Sequence, residues 1–426
     1  MINTPLKLPC GAVLPNRLAK AAMTEGLADP QGLATPELER LYSIWGQGGC
    51  GMLLSGNIQI DADHLERPGN MILDRPADGA TLSALRRMTV AAKAGGAQFW
   101  AQISHAGRQT MKTVNPHPKA PSPVKLGLPG GQFGEPVALT SAEIEDLITR
   151  FGQAAATSID AGFDGIQVHA AHGYLISQFL SPRSNQRSDE WGGSLENRAR
   201  FLLRVVRAMR AVVPTSAAVA VKLNSADFQK GGFAFEESLQ VVQWLEAEGV
   251  DLIEISGGTY EQPKLIGMEG MEPPEMPKVA ASTLAREAYF ADFALAMKSA
   301  VKVPLMVTGG LRSRAAIEQV LAAGAGDVIG IGRPLCAQTD GARRLLDGAD
   351  SLPRPEAGLT MFTGVLAGLK RFKMVRAIDG FAAQDWYYSQ IYALGRTGRT
   401  NLDQSVFKSF LEVERTHKAW LKARRS

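Results

Sequence analysis

Residues 141–174 read SAEIEDLITRFGQAAATSIDAGFDGIQVHAAHGY, and the order of patterns in them decides the fold. Ser141–Ala161 repeats its apolar residues at helical spacing, and Gly165–Val168 is a short apolar run of strand character. A helix leading into a strand is one link of a β/α chain, and the link recurs on both sides. Further strands are predicted at Arg17–Met23, Met52–Ile58, Gln98–Ile103, Val219–Leu223, Leu252–Ile255, Leu305–Val307 and Val328–Ile331. Helical patterns lie between them at Pro36–Trp45, Leu82–Ala94, Leu195–Val212, Glu236–Glu248, Ala285–Ala300 and Arg314–Ala323. Strands separated by helices pair in parallel, because a parallel neighbour needs a crossover. Eight such units predict a closed (β/α)8 TIM barrel. A doubly wound sheet is the competing α/β reading, but no GxGxxG follows the first strand.

Residues 1–340 are assigned to the barrel and 341–426 to a C-terminal helical extension packing on the barrel or on a partner subunit. In the extension, Phe407, Phe410, Leu411, Trp420 and Leu421 have helical spacing, with Asp403 as N-cap. Met111–Leu139 is rich in Pro and Gly and too long for a bare connection, so a functional loop is expected there.

Composition narrows the class. The 426 residues carry a formal charge of +4, small for the size, which points to no nucleic-acid partner. Basic residues concentrate at the end: residues 370–426 hold 12 Lys+Arg against 5 Asp+Glu, a pattern that reads as a solvated helix face. Cys10, Cys50 and Cys336 are too few and too scattered for a disulfide framework. Residues 1–9 show no secretory pattern and no apolar run reaches membrane-spanning length, so the cytoplasm is expected.

In a (β/α)8 barrel the functional side chains gather at the C-terminal strand ends. Thr24, Gly56, Gln102, His105, His169, His172, Tyr174 and Lys222 all fall there. His169 and His172, three apart, share a face if the chain turns helical after the strand, and their N–H groups could then polarise one carbonyl oxygen. Tyr174, a phenol protonated at neutral pH, can donate a proton. The competing readings are a hydrogen-bonded pair that merely holds the loop, or a zinc site, for which HExxH is absent. Lys222 stands in the apolar strand Val219–Leu223 and should face something anionic, such as the N1–C2 carbonyl edge of a flavin. Gly309, Gly310, Gly332 and Arg333 follow the last two strands, where barrel enzymes commonly hold phosphate.

The segments Asn16-Arg17-Leu18, Ala21–Thr24, Gln102-Ile-Ser-His105-Ala-Gly-Arg108, His169–Pro182, Trp191–Arg198 and Gly330–Arg333 resemble the Old Yellow Enzyme family of NADH:flavin oxidoreductases, over about residues 5–340. The resemblance implies FMN held by Ala21, Ala22, Met23, Thr24, Gly56, Gln102 and Lys222, with its phosphate at Gly309, Gly310, Gly332 and Arg333. It implies NADH or NADPH as hydride donor and reduction of C=C bonds activated by a carbonyl or similar group. His169 and His172 would bind the substrate carbonyl, and Tyr174 would protonate the α-carbon. Ala22 stands where many members have Pro, Lys222 where many have Arg, and Gly26 where some bacterial members carry a substrate-contacting Tyr. Three cysteines and the missing GxGxxG speak against the iron–sulfur and second dinucleotide domains of the longer members. Two other classes stay in view: a metal-dependent hydrolase or lyase using His105, His169 and His172, and a non-catalytic binding scaffold. A small-molecule substrate and a possible homo-oligomer complete the expectations.

Overall fold

The computed structural model describes residues 1–128, 131–257, 291–362 and 364–426. Among them, eight parallel strands form the barrel: β1 Leu18–Lys20, β2 Met52–Gln59, β3 Gln98–Ser104, β4 Gly165–Ala170, β5 Ala218–Asn224, β6 Leu252–Ser256, β7 Leu305–Thr308 and β8 Val328–Ile331. Each pairs with its sequence neighbours, and β1 closes the ring by pairing both β8 and β2. The outer helices are α1 Pro36–Gly46, α2 Gly79–Lys93, α3 Ser141–Asp160, α4 Leu195–Val212, α5 Phe235–Ala247, α6 Ala291–Ala300 and α7 Arg314–Ala322. The expected stretch 285–290 lies outside the described residues.

Local chemistry sets where these elements begin. Thr140 caps α3 in a reciprocal box with Glu143, and Thr35, Asp78, Ser194 and Ser313 cap α1, α2, α4 and α7 with side-chain oxygens. Helix α3 then buries Ile144, Leu147, Ile148 and Phe151, each worth about 1.5–3 kcal/mol of apolar transfer. The strands are buried on both faces, which is why they read as apolar runs.

The barrel interior is divided along its axis. Ala19, Met52, Leu54, Trp100, Ala220, Leu252, Met306 and Val328 form an apolar lower plug. An N-terminal hairpin, Leu6–Lys7 against Val13–Leu14, adds Leu8 and Leu14 to it from below. Above the plug, at the C-terminal ends, the buried residues turn polar: Gln102, Gln167, His169, Lys222, Asn224, Glu254 and Ser256. Among the described residues, the polar side chains of the barrel interior that could build a site therefore gather at that mouth.

The extension contains α8 Lys373–Thr397 and α9 Val406–Arg425, with Gly398 in a left-handed turn between them (φ 77°). Both pack on the chain's own barrel. Arg40 of α1 donates to the Arg396 carbonyl (3.0 Å), and the Trp420 indole donates to the carbonyls of Ala28 (2.9 Å) and Asp29 (3.0 Å). The cap of α9 is Ser405, whose hydroxyl accepts from the Lys408 amide (3.3 Å), and not Asp403; Phe407 faces solvent. The long loop is tied to the rim, with Lys119–Ala120 pairing Val137–Ala138. No helix among the described residues is long and apolar enough to cross a membrane.

Candidate active site

Four buried side chains on adjacent strands join into one polar chain across the mouth. The Gln102 amide donates to Gln167 (2.7 Å), Gln167 donates to Glu254 (2.9 Å), and Lys222 Nζ meets Glu254 Oε1 at 2.9 Å. The ladder explains the contacts, since Gln102 stands opposite Gln167 and Lys222 opposite Glu254. Lys222 thus faces an anion, as expected of a lysine in an apolar strand, and that anion is the protein's own Glu254. Gln167 and Glu254 were missed, although each carries the signal that singled out Lys222: a polar residue inside an apolar strand.

His169, His172 and Tyr174 do come together. The His169 ring centroid lies 5.1 Å from that of His172 and 4.7 Å from that of Tyr174, both edge-on. The cause is not a helical turn. His172 has φ 62° and Gly173 φ 78°, so two left-handed residues swing the chain back before a short helix at Leu175–Leu180. The His172 amide donates to Asn224 Oδ1 (3.1 Å), which holds that turn. Burial, followed by the facing His172 and Lys222 charges, pushes the His169 imidazole well below its ordinary pKa; burial and Lys222 do the same to His172. Each neutral ring has one N–H. His169 Nδ1 accepts from the Ala171 amide (3.2 Å), so its proton sits on Nε2. His172 Nε2 meets Ser256 Oγ at 2.6 Å, and when that nitrogen accepts, Nδ1 carries the proton.

The other wall comes from β1 and β2. The β2–β3 register shifts between Leu54 and Asn57, a bulge at Ser55–Gly56 that lets Ser55 accept the Gln102 amide (2.9 Å). The Gly56 amide donates to Glu25 Oε1 (2.7 Å), and a side chain there would collide with Glu25 and the Met23 carbonyl. That amide is therefore engaged within the protein rather than turned to a ligand. The Ala21 amide is engaged as well, by the Ile331 carbonyl (2.9 Å). Ala22 and Met23 are half-buried at the rim, and Thr24 is buried with its hydroxyl 3.5 Å from Asn57 Nδ2.

The last two strand ends carry a second group of candidate residues. Gly309 (φ 133°) and Gly310 (φ 76°) follow β7 in backbone conformations that side chains disfavour. A Cβ on Gly330 would lie 2.0 Å from Thr308 Oγ1, a buried hydroxyl without a hydrogen-bond partner among the described residues. Gly332 is half-buried, and the exposed Arg333 lies 5.8 Å from the Tyr387 ring of α8.

His105 lies elsewhere. It groups with Asp61 and His64, not with His169 and His172, which removes the three-histidine metal reading among the described residues. Nor do these three form a metal centre. His64 Nε2 accepts from the Lys119 amide (2.8 Å) and His105 Nδ1 from the Gly107 amide (3.0 Å), so the nitrogens facing Asp61 must carry the protons. Those nitrogens stand 3.1 and 3.7 Å from Asp61 Oδ2. Against burial, which pushes upward, the two imidazoles hold the Asp61 carboxyl well below the carboxylate range. His64 is the third member of this rim clamp.

Burial, with the His64 charge, lowers the His105 pKa to about 4. The unfolded imidazole titrates near 6.5, so between these values the unfolded chain binds a proton the native chain refuses. His105 therefore makes stability fall as pH drops through that window. Urea unfolding at pH 7 and pH 5 is expected to show a smaller acid loss in His105→Gln than in the parent, by about 2 kcal/mol. Equal losses would contradict a buried neutral His105.

Comparison with known proteins places this geometry. Residues 2–351 match the model of the NADH:flavin oxidoreductase / NADH oxidase family. The chain is 37% identical over 348 residues to the NADH-dependent flavin oxidoreductase iliE of Hypocrea jecorina, covering 78% of this chain and 85% of that one. It is 31% identical over 411 residues to iccE of Talaromyces variabilis, also an NADH-dependent flavin oxidoreductase, covering 92% and 98%, so the match runs into the C-terminal extension. Among solved structures, a 2-naphthoyl-CoA reductase with 2-naphthoyl-CoA superposes at a TM-score of 0.73 with 26% identity, over 82% of this chain and 52% of that one. This chain thus spans about half of that reductase. The old yellow enzyme homologue from Zymomonas mobilis shares the fold, with a TM-score of 0.68 at 24% identity over 83% of this chain and 94% of that one.

Proposed function

Since the chain belongs to the NADH:flavin oxidoreductase / NADH oxidase family, we propose that it uses FMN and NADH to reduce C=C bonds activated by a carbonyl or similar group. The observation that carries this reading is the meeting of His169, His172 and Tyr174 at the mouth, directly above the Gln102–Gln167–Glu254–Lys222 chain.

The residues present fit FMN. Thr308 Oγ1 lacks a partner among the described residues, Gly330 has no room for a side chain, and Gly309 and Gly310 are left-handed, as backbone wrapped round a phosphate requires. Arg333 adds a cation at the same rim. Gln102 and Lys222 would hold the polar edge of the ring system, with Ala22, Met23 and Thr24 along its side and Gly56 letting Glu25 and the Met23 carbonyl pack closely behind them. When bound, FMN supplies the hydride chemistry, accepting hydride from NADH and delivering it to the β-carbon of the alkene.

The protein's own groups complete the reaction. His169 Nε2–H, and His172 Nδ1–H when Ser256 donates to Nε2, would hold the substrate carbonyl and stabilise the charge that develops on it. Neutral rings suit this, because they donate without giving their protons up. Tyr174 would then protonate the α-carbon.

His172→Ala is expected to weaken phenol binding about tenfold or more, the value of one hydrogen bond to developing charge, with FMN retained. Titrating phenols against the flavin absorbance measures it; unchanged affinity and turnover would remove His172 from the substrate site. A panel of enones, nitroalkenes and enoates assayed with NADH and NADPH tests the reading as a whole, and turnover of none of them would contradict it.

A further inference from the structure

The Tyr174 phenol does not stand alone: it donates to Glu66 Oε2, on the loop that follows β2. The same oxygen accepts from Asn57 Nδ2 (3.0 Å), and the Glu66 side chain is only 5% exposed. Its neighbour Arg67 brings Nε to 3.8 Å from the other carboxylate oxygen. Arg67 is in turn held by α8, with its guanidinium carbon 3.5 Å from the centre of the Tyr388 ring. The Arg67 amide donates to Asn70 Oδ1 (3.1 Å), which fixes the turn of the loop. Glu66 is thus anchored by β2, by its own loop and, through Arg67, by the C-terminal extension.

We propose that Glu66 sets how tightly Tyr174 holds its proton, making it a positioning residue for the proton-delivery step. This rests on the reading of Tyr174 as the donor. An ionised carboxylate that accepts the phenol's hydrogen bond favours the phenol over the phenolate, because ionisation would set two negative charges side by side. Arg67 and the Asn57 amide both face that carboxylate. Among the described residues, Lys222 is paired with Glu254, and Asp385 of α8 and His417 of α9 interact with Arg67. Tyr174 then stays protonated above the ordinary phenol range near 10 and releases its proton only to a strong base such as a developing carbanion. In that step the O–H bond breaks, the C–H bond forms at the α-carbon, and the phenolate left beside Glu66 recovers a proton from water.

The test uses holoenzyme of the parent, Glu66→Gln, Glu66→Asp and Tyr174→Phe. Tyrosinate absorbance in the near ultraviolet, taken as the difference from Tyr174→Phe, reads the ionisation of Tyr174 directly. In Glu66→Gln it is expected about one to three pH units lower than in the parent, with Glu66→Asp between. The alkaline limb of the enone reaction should move down by the same amount and vanish in Tyr174→Phe. If tyrosinate absorbance and limb both stay at the parent's positions in Glu66→Gln and Glu66→Asp, Glu66 does not set the proton affinity, and the reading of Tyr174 stands. If the limb persists in Tyr174→Phe, the donor reading fails, while the absorbance titration still decides the role of Glu66.

Discussion

Tyr174→Phe is expected to slow the reaction of reduced holoenzyme with an enone by ~10²–10⁴-fold, the range for losing a general acid. Bleaching of the flavin by NADH should remain nearly unchanged in the same protein. The separation follows from what the phenol does. Its ring packs edge-on against His169 and only its hydroxyl leaves that contact, so Phe keeps the packing and removes one O–H. Hydride transfer from NADH needs no proton from Tyr174, whereas saturation of the alkene does. Strongly activated nitroalkenes should lose less, because their anions tolerate late protonation. Stopped-flow traces of bleaching and reoxidation measure the two halves separately. Equal slowing of both would mean that Tyr174 shapes the pocket and donates nothing.

Lys222→Met is expected to destabilise the protein by about 3–5 kcal/mol, the cost of stripping one partner from a buried ion pair. Glu254 is fully buried, and its second oxygen is committed to Gln167, so the charge left behind has no route to water. Urea unfolding of the apoprotein reads the loss, and Lys222→Met with Glu254→Gln should recover much of it, since the orphaned charge is then gone. FMN retention should fall in both variants, because the cation at the polar edge is missing in each. Full stability in the single variant would show that the pair is not buried as a unit. The pairing also bears on redox behaviour. Glu254 offsets the lysine's charge, so Glu254→Gln should raise the potential of the bound flavin.

The barrel was legible in the sequence because each stave is buried on both faces, leaving an apolar run between helices with polar caps. Strand ends were matched closely except at β1, where Arg17–Met23 was expected and only Leu18–Lys20 pairs; the residues beyond leave the ladder to line the mouth. Helix α8 escaped notice because it lies between α1 and α9 and has apolar residues around most of its circumference, so no single stripe stands out. In the site, residues three apart along the chain or at strand ends were found. Those brought in across space were not: Glu66 beside Tyr174, Glu254 beside Lys222, Ser256 beside His172 and Asp61 beside His105. Each partner lies far away along the chain, and only strand pairing and the rim loops make them neighbours. The left-handed backbone at His172 was equally invisible, since a non-glycine residue gives no compositional sign of it.

The most direct measurement is a single-turnover experiment without oxygen. Purified holoenzyme would be reduced with one equivalent of NADH and mixed with an enone, following flavin absorbance and product together. The expected result is bleaching by NADH, then recovery of the oxidised spectrum with one equivalent of saturated ketone per flavin. Bleaching without recovery across enones, enoates and nitroalkenes, or recovery without saturated product, would contradict the assignment of this mouth to C=C reduction.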